Sequence, residues 1–241
     1  MKPEPRTYRT YMARPGLVPF RLAVKETDLM ILAPRDLTLE ARELVLKERY
    51  QLEAYIHRHP EFLTTLTPYP DDPYAPILVR QMLTAAARVG VGPMAAVAGA
   101  IAERVGQHLV SPQEEIIVEN GGDIFLRIAT PATVALYAGK SPLSRRLGLK
   151  IDPALSPLGV CTSSGTVGHS LSFGRADAAC VLAPSAALAD AAATALGNRV
   201  TDAAAIPAAL KWLATVPDII GAVIVVGEKL GAWGQVEIIP L

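Results

Sequence analysis

The sequence EIIVENGGDIFLRI, residues 115–128, consists of two short strand-like runs on either side of Gly121 and Gly122. Paired glycines between such runs are typical of a β-hairpin, because a two-residue turn requires positive φ angles that glycine adopts without strain. We therefore predict two antiparallel strands here. Glu119, Asn120 and Asp123 add three polar side chains at the turn. The pattern leaves open whether this is a turn alone or a turn that forms part of a binding site.

Further strands and helices are expected on both sides of this hairpin. Strand-like runs occur within residues 5–33 and at residues 133–138, 176–183, 221–229 and 233–239, the last two as a hairpin. Helical patterns cover residues 37–57, 75–89, 93–109, 185–196 and 203–215, and the basic segment SRRLGLK (144–150) is expected to be a loop or a short helix. This order favours an α+β fold. A doubly wound sheet is the weaker alternative, since no glycine-rich phosphate loop follows the first strand.

The composition excludes several classes of protein. The chain has 241 residues, a formal net charge of +0, 51% apolar residues and only 5% aromatic residues, which indicates a globular protein rather than a disordered one. Balanced charge argues against a general nucleic-acid binder or a polybasic membrane-surface protein. The uncharged apolar stretch at residues 89–102 is too short to cross a bilayer.

The ends of the chain and its cysteines suggest a compartment. Residues 1–11, MKPEPRTYRTY, lack the apolar core of a signal peptide. Cys161 and Cys180 are too few for a disulfide framework and have no CxxC spacing. We predict a cytoplasmic protein with free thiols, no membrane or nucleic-acid partner and a single domain over residues 1–241. The proline-rich segment 59–76 is the best candidate for a boundary or an exposed loop.

Two stretches besides the hairpin combine small residues with groups suited to chemistry. In VGPMAAVAGAIAE, residues 91–103, a small face permits close packing of either another helix or a flat ligand. In residues 159–198, hydroxyls occur at Thr162, Ser163, Ser164 and Thr166, and Gly165 and Gly168 can expose backbone N–H groups to an anion such as a phosphate.

Asp190 and Thr194 lie four residues apart in the same region, on one face of the helix predicted there. A carboxylate and a hydroxyl at this spacing suit a hard cation such as Mg²⁺. The plainer alternative is a solvated aspartate and a threonine bonded to its own helix backbone. The segment GHSLS, residues 168–172, departs from the G-x-S-x-G elbow, so a serine hydrolase is a weak alternative.

The motifs VENGGDI, CTSSGTVGH and ALADAAATAL, preceded by the helix AAVAGAIAE, resemble the signature elements of the ApbE superfamily, the Mg²⁺-dependent FAD:protein FMN transferases. The pattern is most similar to an uncharacterised, cytoplasmic ApbE-like branch. The resemblance implies a T-fold-like α+β domain, with an antiparallel sheet and helices packed on one side. It also implies metal ligands at Asp190, Thr194 and the carbonyl of Ala95, and a flavin nucleotide site formed by Gly121, Gly122, Asp123, Thr162, Ser163 and His169.

The sequence also departs from the family pattern. The transferases usually have a lysine where this chain has Ala98, and of their His-Ile-Ile-Asp-Pro segment only His169 is comparable. Losing a lysine near a phosphate removes a charge and a donor, which affects transfer more than binding.

Three functions follow from these observations. The chain binds FAD or a related nucleotide diphosphate with Mg²⁺ between the GGD turn and the ADAAAT helix, and transfers FMN or hydrolyses FAD. Alternatively it is a non-catalytic binding module in the same cleft. As a third possibility it is a structural homo-oligomer in which the small-residue helices, with Ala96 and Ala193, form a subunit interface.

Overall fold

The structure, a computed structural model, describes residues 7–165 and 174–241. The helices are α1 (Thr38–Arg58), α2 (Glu61–Thr64), α3 (Ile77–Val89), α4 (Val97–His108), α5 (Ala186–Asn198) and α6 (Ile206–Leu213). The strands are β1 (Val18–Val24), β2 (Thr27–Ala33), β3 (Ile116–Asn120), β4 (Asp123–Arg127), β5 (Ala132–Ala135), β6 (Leu147–Ile151), β7 (Leu158–Ser163), β8 (Ala178–Ala183), β9 (Gly221–Val226), β10 (Lys229–Gly234) and β11 (Glu237–Pro240).

The main sheet has the strand order β1-β2-β3-β4-β7-β8-β9-β10, and every neighbouring pair is antiparallel. The predicted hairpin lies at its centre, with Asn120 paired to Asp123. Gly121 and Gly122 have φ angles of +72° and +108°, which explains why both positions are glycine. We call these two residues the glycine turn.

The two faces of the main sheet are covered differently. Helices α1, α3, α4, α5 and α6 bury one face in a large apolar core. The other face packs against a small antiparallel sheet of order β11-β6-β5 and forms a second core. The α+β class, with an antiparallel sheet and the helices on one side of it, is therefore confirmed.

The carboxyl-terminal strands differ from the predicted hairpin. Residues 229–234 pair with β9, whereas Glu237–Pro240 leaves the main sheet and pairs with β6. Gly234 allows this change of direction. Its φ is +83°, and a Cβ there would lie 2.3 Å from the carbonyl oxygen of Ile220. The apolar residues Val236 and Ile238 then contribute to the second core.

Two further segments also differ from expectation. Residues 144–150 were expected to be a loop or helix, but Leu147–Ile151 is a strand because Leu149 and Ile151 are buried in the second core. Thr7–Tyr11 alternates polar and apolar residues like a strand, yet it forms a 3-10 turn. Buried ion pairs of Arg9, described below, hold it there and outweigh the local pattern.

Helix α5 lies at the centre of the helical layer, and small residues let it approach its neighbours closely. A Cβ at Gly99 of α4 would lie 2.2 Å from the carbonyl oxygen of Ala186, and a Cβ at Gly159 of β7 would lie 2.4 Å from the Cα of Ala186. Seven alanines of α5 are fully or almost fully buried, namely Ala186, Ala187, Ala189, Ala191, Ala192, Ala193 and Ala195. The high alanine content therefore reflects backbone-to-backbone packing.

A buried carboxylate from α4 accepts hydrogen bonds from the amino-terminal end of α5. Glu103, 5% exposed, accepts hydrogen bonds from the backbone N–H of Ala187 at 3.2 Å and from the hydroxyl of Ser185 at 2.8 Å. The first N–H groups of a helix lack partners within the helix, and a carboxylate there also interacts favourably with the helix dipole. Glu103 thus ties the two helices together.

The small-residue helices are packed inside the chain. Ala96 and Ala193 are completely buried among residues of this same chain. Neither side chain is accessible to a second subunit, so the prediction that these positions form a subunit interface is wrong.

No single helix among the described residues is both long enough and apolar enough to cross a membrane. Helix α3 and the segment Pro93–His108 meet that test only as a pair, across a bend of 105°.

The contact at Gly99 yields a first prediction. Replacing Gly99 by Ala should lower the free energy of unfolding by about 1–3 kcal/mol, because the new methyl group overpacks against the backbone of Ala186. Alanine normally stabilises a helix by about 1 kcal/mol over glycine. Ala87→Gly on the exposed face of α3 is the control that measures this propensity alone. Urea unfolding of both variants provides the comparison, and a stabilised Gly99→Ala protein would contradict the packing described.

Candidate functional site

A large cavity lies at the end of the main sheet where the glycine turn protrudes. Its volume is about 1400 Å³, and its walls come from the turn, from the ends of β7 and β2, and from helices α1, α4 and α5. Ligand pockets usually have volumes of roughly 300–1000 Å³, so the cavity is large enough for a dinucleotide-sized ligand.

Most of the residues that the sequence singled out meet in this cavity. Of the nine residues that the family resemblance implies as ligands, seven line it: Gly121, Gly122, Asp123, Thr162, Ser163, Asp190 and Thr194. Ala95 lies half-buried in the 3-10 turn Pro93–Ala96, and its neighbours Met94, Val97 and Ala98 line the cavity, whereas Ala95 is not among the described lining residues. His169 lies outside the described residues, so its predicted role stays a prediction, as do the roles of the other residues.

Asp190 projects from α5 to the amino-terminal end of α4. Its carboxylate accepts a hydrogen bond from the backbone N–H of Gly99 at 2.9 Å and is 9% exposed. Burial raises the pKa of Asp190 to about 7, opposed by the backbone hydrogen bonds from Gly99 and Ala98. Asp190 therefore caps α4, and its second carboxylate oxygen is a potential ligand at the cavity wall.

Asp123 follows the glycine turn on the same face of the sheet. Burial, and then the negative charges of Asp190 and Glu119, raise the pKa of Asp123 well above its usual value. Hydrogen bonds from the Thr162 backbone and the Cys161 thiol oppose this rise. Two carboxyl groups that disfavour each other's ionisation in a desolvated site would both be stabilised as anions by a bound cation.

The carboxylate of Glu119, which the sequence singled out as a polar side chain at the turn but not as a ligand, is part of the site. Its Oε1 accepts hydrogen bonds from the backbone N–H of Gly122 at 2.8 Å and from the hydroxyl of Tyr8 at 2.7 Å. Its Oε2 pairs with Arg9 at 2.6 Å, and Arg9 also pairs with Asp28 at 2.8 Å. The N–H of Gly122 is thus already engaged by a carboxylate.

Ser163 presents a buried hydroxyl to the cavity. It is 7% exposed, and its Oγ has no hydrogen-bond partner in the part of the chain that the structure describes. A buried hydroxyl without a partner costs about 1–3 kcal/mol, which a bound ligand would recover by hydrogen bonding to it. This is the observation most favourable to a polar ligand in this position.

The two thiols are poor nucleophiles. Cys161 and Cys180 are free and buried. Burial raises the pKa of Cys161 well above its usual value and that of Cys180 to about 12, so the reactive thiolate is disfavoured at both.

Metal-binding side chains are sparse. The described residues contain no group of three or more histidine, cysteine or acidic side chains arranged to hold a metal ion. A metal bound here would therefore need oxygen atoms from other groups as well, such as a hydroxyl, a backbone carbonyl or a bound ligand. Mg²⁺ is commonly held in this way, by one or two carboxylates and substrate phosphates.

Comparison with solved structures identifies the fold as that of the ApbE flavin transferases. The apo form of Pseudomonas stutzeri flavinyl transferase ApbE aligns with a TM-score of 0.55 and 14% identity over 91% of this chain and 94% of that chain. The H257G mutant of the Vibrio cholerae flavin transferase ApbE aligns with a TM-score of 0.56 and 15% identity over 90% and 96%. At this level of identity the match concerns the fold.

Sequence comparison then gives the family. The family model described as "AbpE bacteria" matches residues 9–225, and the chain belongs to this family. A UPF0280 protein of Methanocella arvoryzae is 44% identical over 88% of this chain and 86% of the relative. A UPF0280 protein of Methanosarcina barkeri is 45% identical over 88% and 85%. The resemblance to ApbE noted in the sequence is confirmed.

The raised pKa values predict how stability depends on pH. In the metal-free protein, Asp190 stays protonated up to about pH 7, whereas an unfolded aspartate loses its proton near pH 3.9. Between these values the folded state binds more protons, so raising the pH from 5 to 7 should lower the free energy of unfolding. One such carboxyl contributes at most about 1.4 kcal/mol per pH unit. Denaturant unfolding in EDTA measures the slope.

Asp190→Asn is the control for this measurement, because it removes the titrating group and keeps an oxygen acceptor for the N–H of Gly99. The variant should lose the part of the slope that Asp190 contributes and keep the part that comes from Asp123, whose pKa is also raised by burial. A wild-type stability that is constant from pH 5 to 7 would contradict the raised pKa values.

Proposed function

We propose that this chain binds FAD or a related nucleotide diphosphate together with Mg²⁺ in the cavity around the glycine turn. The observation that carries this proposal is the convergence of two distant sequence regions on one cavity. The glycine turn with Asp123 comes from one region, and Thr162, Ser163, Asp190 and Thr194 come from the other. Membership in the family and the ApbE-like fold support a flavin-related ligand.

The walls of the cavity suit a nucleotide. Met94, Val97 and Ile101 give an apolar surface against which a flat ring can pack. The hydroxyl of Ser163 has no partner in the described chain and can donate to a phosphate oxygen. His169 is proposed as a further ligand-binding residue from the sequence alone.

The proposed metal ligands are the carboxylate of Asp190 and the hydroxyl of Thr194, with the carbonyl of Ala95 as a third. When bound, Mg²⁺ would offset the charge of a pyrophosphate and withdraw electrons from the phosphorus that reacts. Asp190 and Asp123 would then hold their negative charge at neutral pH, because a nearby cation lowers the pKa of a carboxyl.

The enzymatic form of the proposal is transfer of FMN to a hydroxyl group, or to water. The oxygen of the acceptor forms a bond to the FMN phosphorus while the pyrophosphate P–O bond breaks and AMP leaves. Asp123, which lines the cavity beside the glycine turn, is the residue of this chain that we propose to accept the hydroxyl proton.

Ala98 favours a second candidate, a binding protein without catalysis. It lines the cavity at the position where the transferases usually have a lysine, so the chain supplies no cation there. A ligand would still be held by the hydroxyls and by the metal, while transition-state charge would be less well stabilised.

Calorimetry with FAD in the presence of Mg²⁺ or EDTA tests binding. We expect Mg²⁺-dependent binding that Thr194→Val weakens by about tenfold, as expected for the loss of one hydrogen bond or ligand to a charged group. Asp190→Asn should abolish the Mg²⁺ dependence. Thr84→Val, on the exposed side of α3, is the control. If neither FAD nor any nucleotide diphosphate binds with any divalent metal, the proposal fails.

The variant Ala98→Lys distinguishes the enzymatic proposal from the alternative of a binding protein without catalysis. If wild-type protein releases FMN or AMP from FAD, Ala98→Lys should accelerate this release, because it restores a cation near the phosphates. If the wild type binds FAD without turnover, and Ala98→Lys turns it over, the binding protein is the correct alternative. Chromatography of FAD, FMN and AMP gives the measurement, with Ala98→Met as the control for side-chain length.

A further inference from the structure

The cavity continues past the glycine turn to the opposite face of the main sheet. Asp123 lies on the helical face, whereas the neighbouring Ile124 packs against the second core, and both line the cavity. On that second face the cavity is bounded by β5 and by Tyr8, Tyr137 and Arg145. We call this part the tyrosine lobe. None of the residues considered above as metal or phosphate ligands lies on its walls except Thr162, which shares this face.

Two aromatic rings line the tyrosine lobe, and we call this pair the tyrosine wall. The rings of Tyr8 and Tyr137 are stacked, with centroids 6.2 Å apart and an angle of 29° between their planes. Offset stacking of this kind is favourable for aromatic rings, and a further flat ring can pack on the same surface. The hydroxyl of Tyr8 bonds to Glu119, which fixes the position of its ring.

Arg145 brings a positive charge to this wall. Among the described arginines and lysines that line the cavity, Lys25 pairs with Glu53, and Arg49 pairs with Glu26 and Glu53, whereas Arg145 has no carboxylate partner. Its guanidinium carbon lies 5.7 Å from the centroid of the Tyr137 ring. The carboxylate on this face of the turn, Glu119, is already paired with Arg9.

The loop that carries Arg145 holds it in an unusual conformation. The φ of Arg145 is +58°, a region that bulky residues rarely adopt and that is frequent at functional sites when the surroundings enforce it. The backbone N–H of Arg145 donates to the carbonyl of Leu136 at 2.8 Å. Ser144 accepts from the N–H of Ala138 at 3.0 Å, and Ser141 donates to the carbonyl of Gly227 at 2.6 Å. These hydrogen bonds fix the loop that carries the Arg145 guanidinium.

We propose that the tyrosine lobe binds an aromatic ring that carries an anionic group, with the ring on the tyrosine wall and the anion at Arg145. A guanidinium over an aromatic face, free of carboxylates, matches a phosphate-bearing ring. This inference deepens the proposed function because it uses the same cavity, and it rests on a nucleotide-like ligand. It does not require Mg²⁺.

Paired ligands that differ only in the phosphate test this proposal. Calorimetry in EDTA compares FMN with riboflavin and AMP with adenosine. We expect the phosphorylated member of at least one pair to bind about tenfold more tightly, as a charged hydrogen bond to arginine implies. A difference in the flavin pair alone identifies a flavin ring in the lobe, and one in the adenine pair alone identifies adenine.

Variants of the loop show whether Arg145 is responsible. Arg145→Asn tolerates a positive φ and removes the charge, so it should reduce the difference to about twofold or less without changing the affinity of the uncharged member. Arg146→Asn, one residue further on, is the matched control and should keep the difference. Tyr137→Leu should weaken both members of the pair.

Two results would overturn the inference: equal affinities within both pairs for the wild type, or a phosphate preference that survives in Arg145→Asn. These outcomes are distinct from failure of the proposed function. If FAD does not bind with Mg²⁺ but the Arg145-dependent preference for the phosphorylated ligand is present, the inference about the tyrosine lobe is supported and the metal-dependent proposal fails. If FAD binds with Mg²⁺ and Arg145→Asn changes nothing, only the lobe is wrong.

Discussion

The helical layer depends on an exchange of buried carboxylates between α4 and α5. Asp190 of α5 accepts from the N–H of Gly99 near the start of α4, and Glu103 of α4 accepts from the N–H of Ala187 near the start of α5. A carboxylate of each helix thereby accepts a hydrogen bond from a first-turn N–H group of the other helix, which has no partner within its own helix. The exchange requires close contact, which Gly99 permits. Asp190 therefore has a structural role whatever it binds, and a loss of function on mutating it has to be separated from a loss of stability.

The sequence predicted those features of the fold that depend on neighbouring residues. Paired glycines predicted the hairpin, and apolar periodicity predicted the long helices. The features that it missed depend on distant partners. Thr7–Tyr11 is held as a 3-10 turn because Arg9 reaches Glu119, more than a hundred residues away. Glu237–Pro240 joins the small sheet because the second core offers burial, which no local pattern records. The grouping of candidate site residues in one cavity was predictable only through their motifs.

The net charge of the whole chain is balanced, but this balance does not describe how charged groups are placed inside the cavity. The sequence offered the backbone N–H groups of Gly165 and Gly168 to an anion, yet the N–H of Gly165 donates to the carbonyl of Ala176, and that of Gly122 donates to Glu119. Among the described acidic and basic side chains that line the cavity, those outside the ion pairs lie on different faces of the sheet. Asp123 and Asp190 lie on the helical side, where a cation would be favoured, and Arg145 lies on the other side. A ligand with a bound cation at one end and an unpaired anionic group at the other would complement the carboxyl groups on one side and Arg145 on the other.

The two cysteines lie on adjacent strands, but their side chains point to opposite faces of the main sheet. Cys161 belongs to the core under the helices, and Cys180 belongs to the core under the small sheet. Because their Cβ vectors diverge, oxidation cannot join them without moving the backbone. Each thiol becomes accessible only when its own layer lifts from the sheet. The molecule thus carries a natural pair of chemical reporters, and their separate rates of alkylation would reveal which layer opens first.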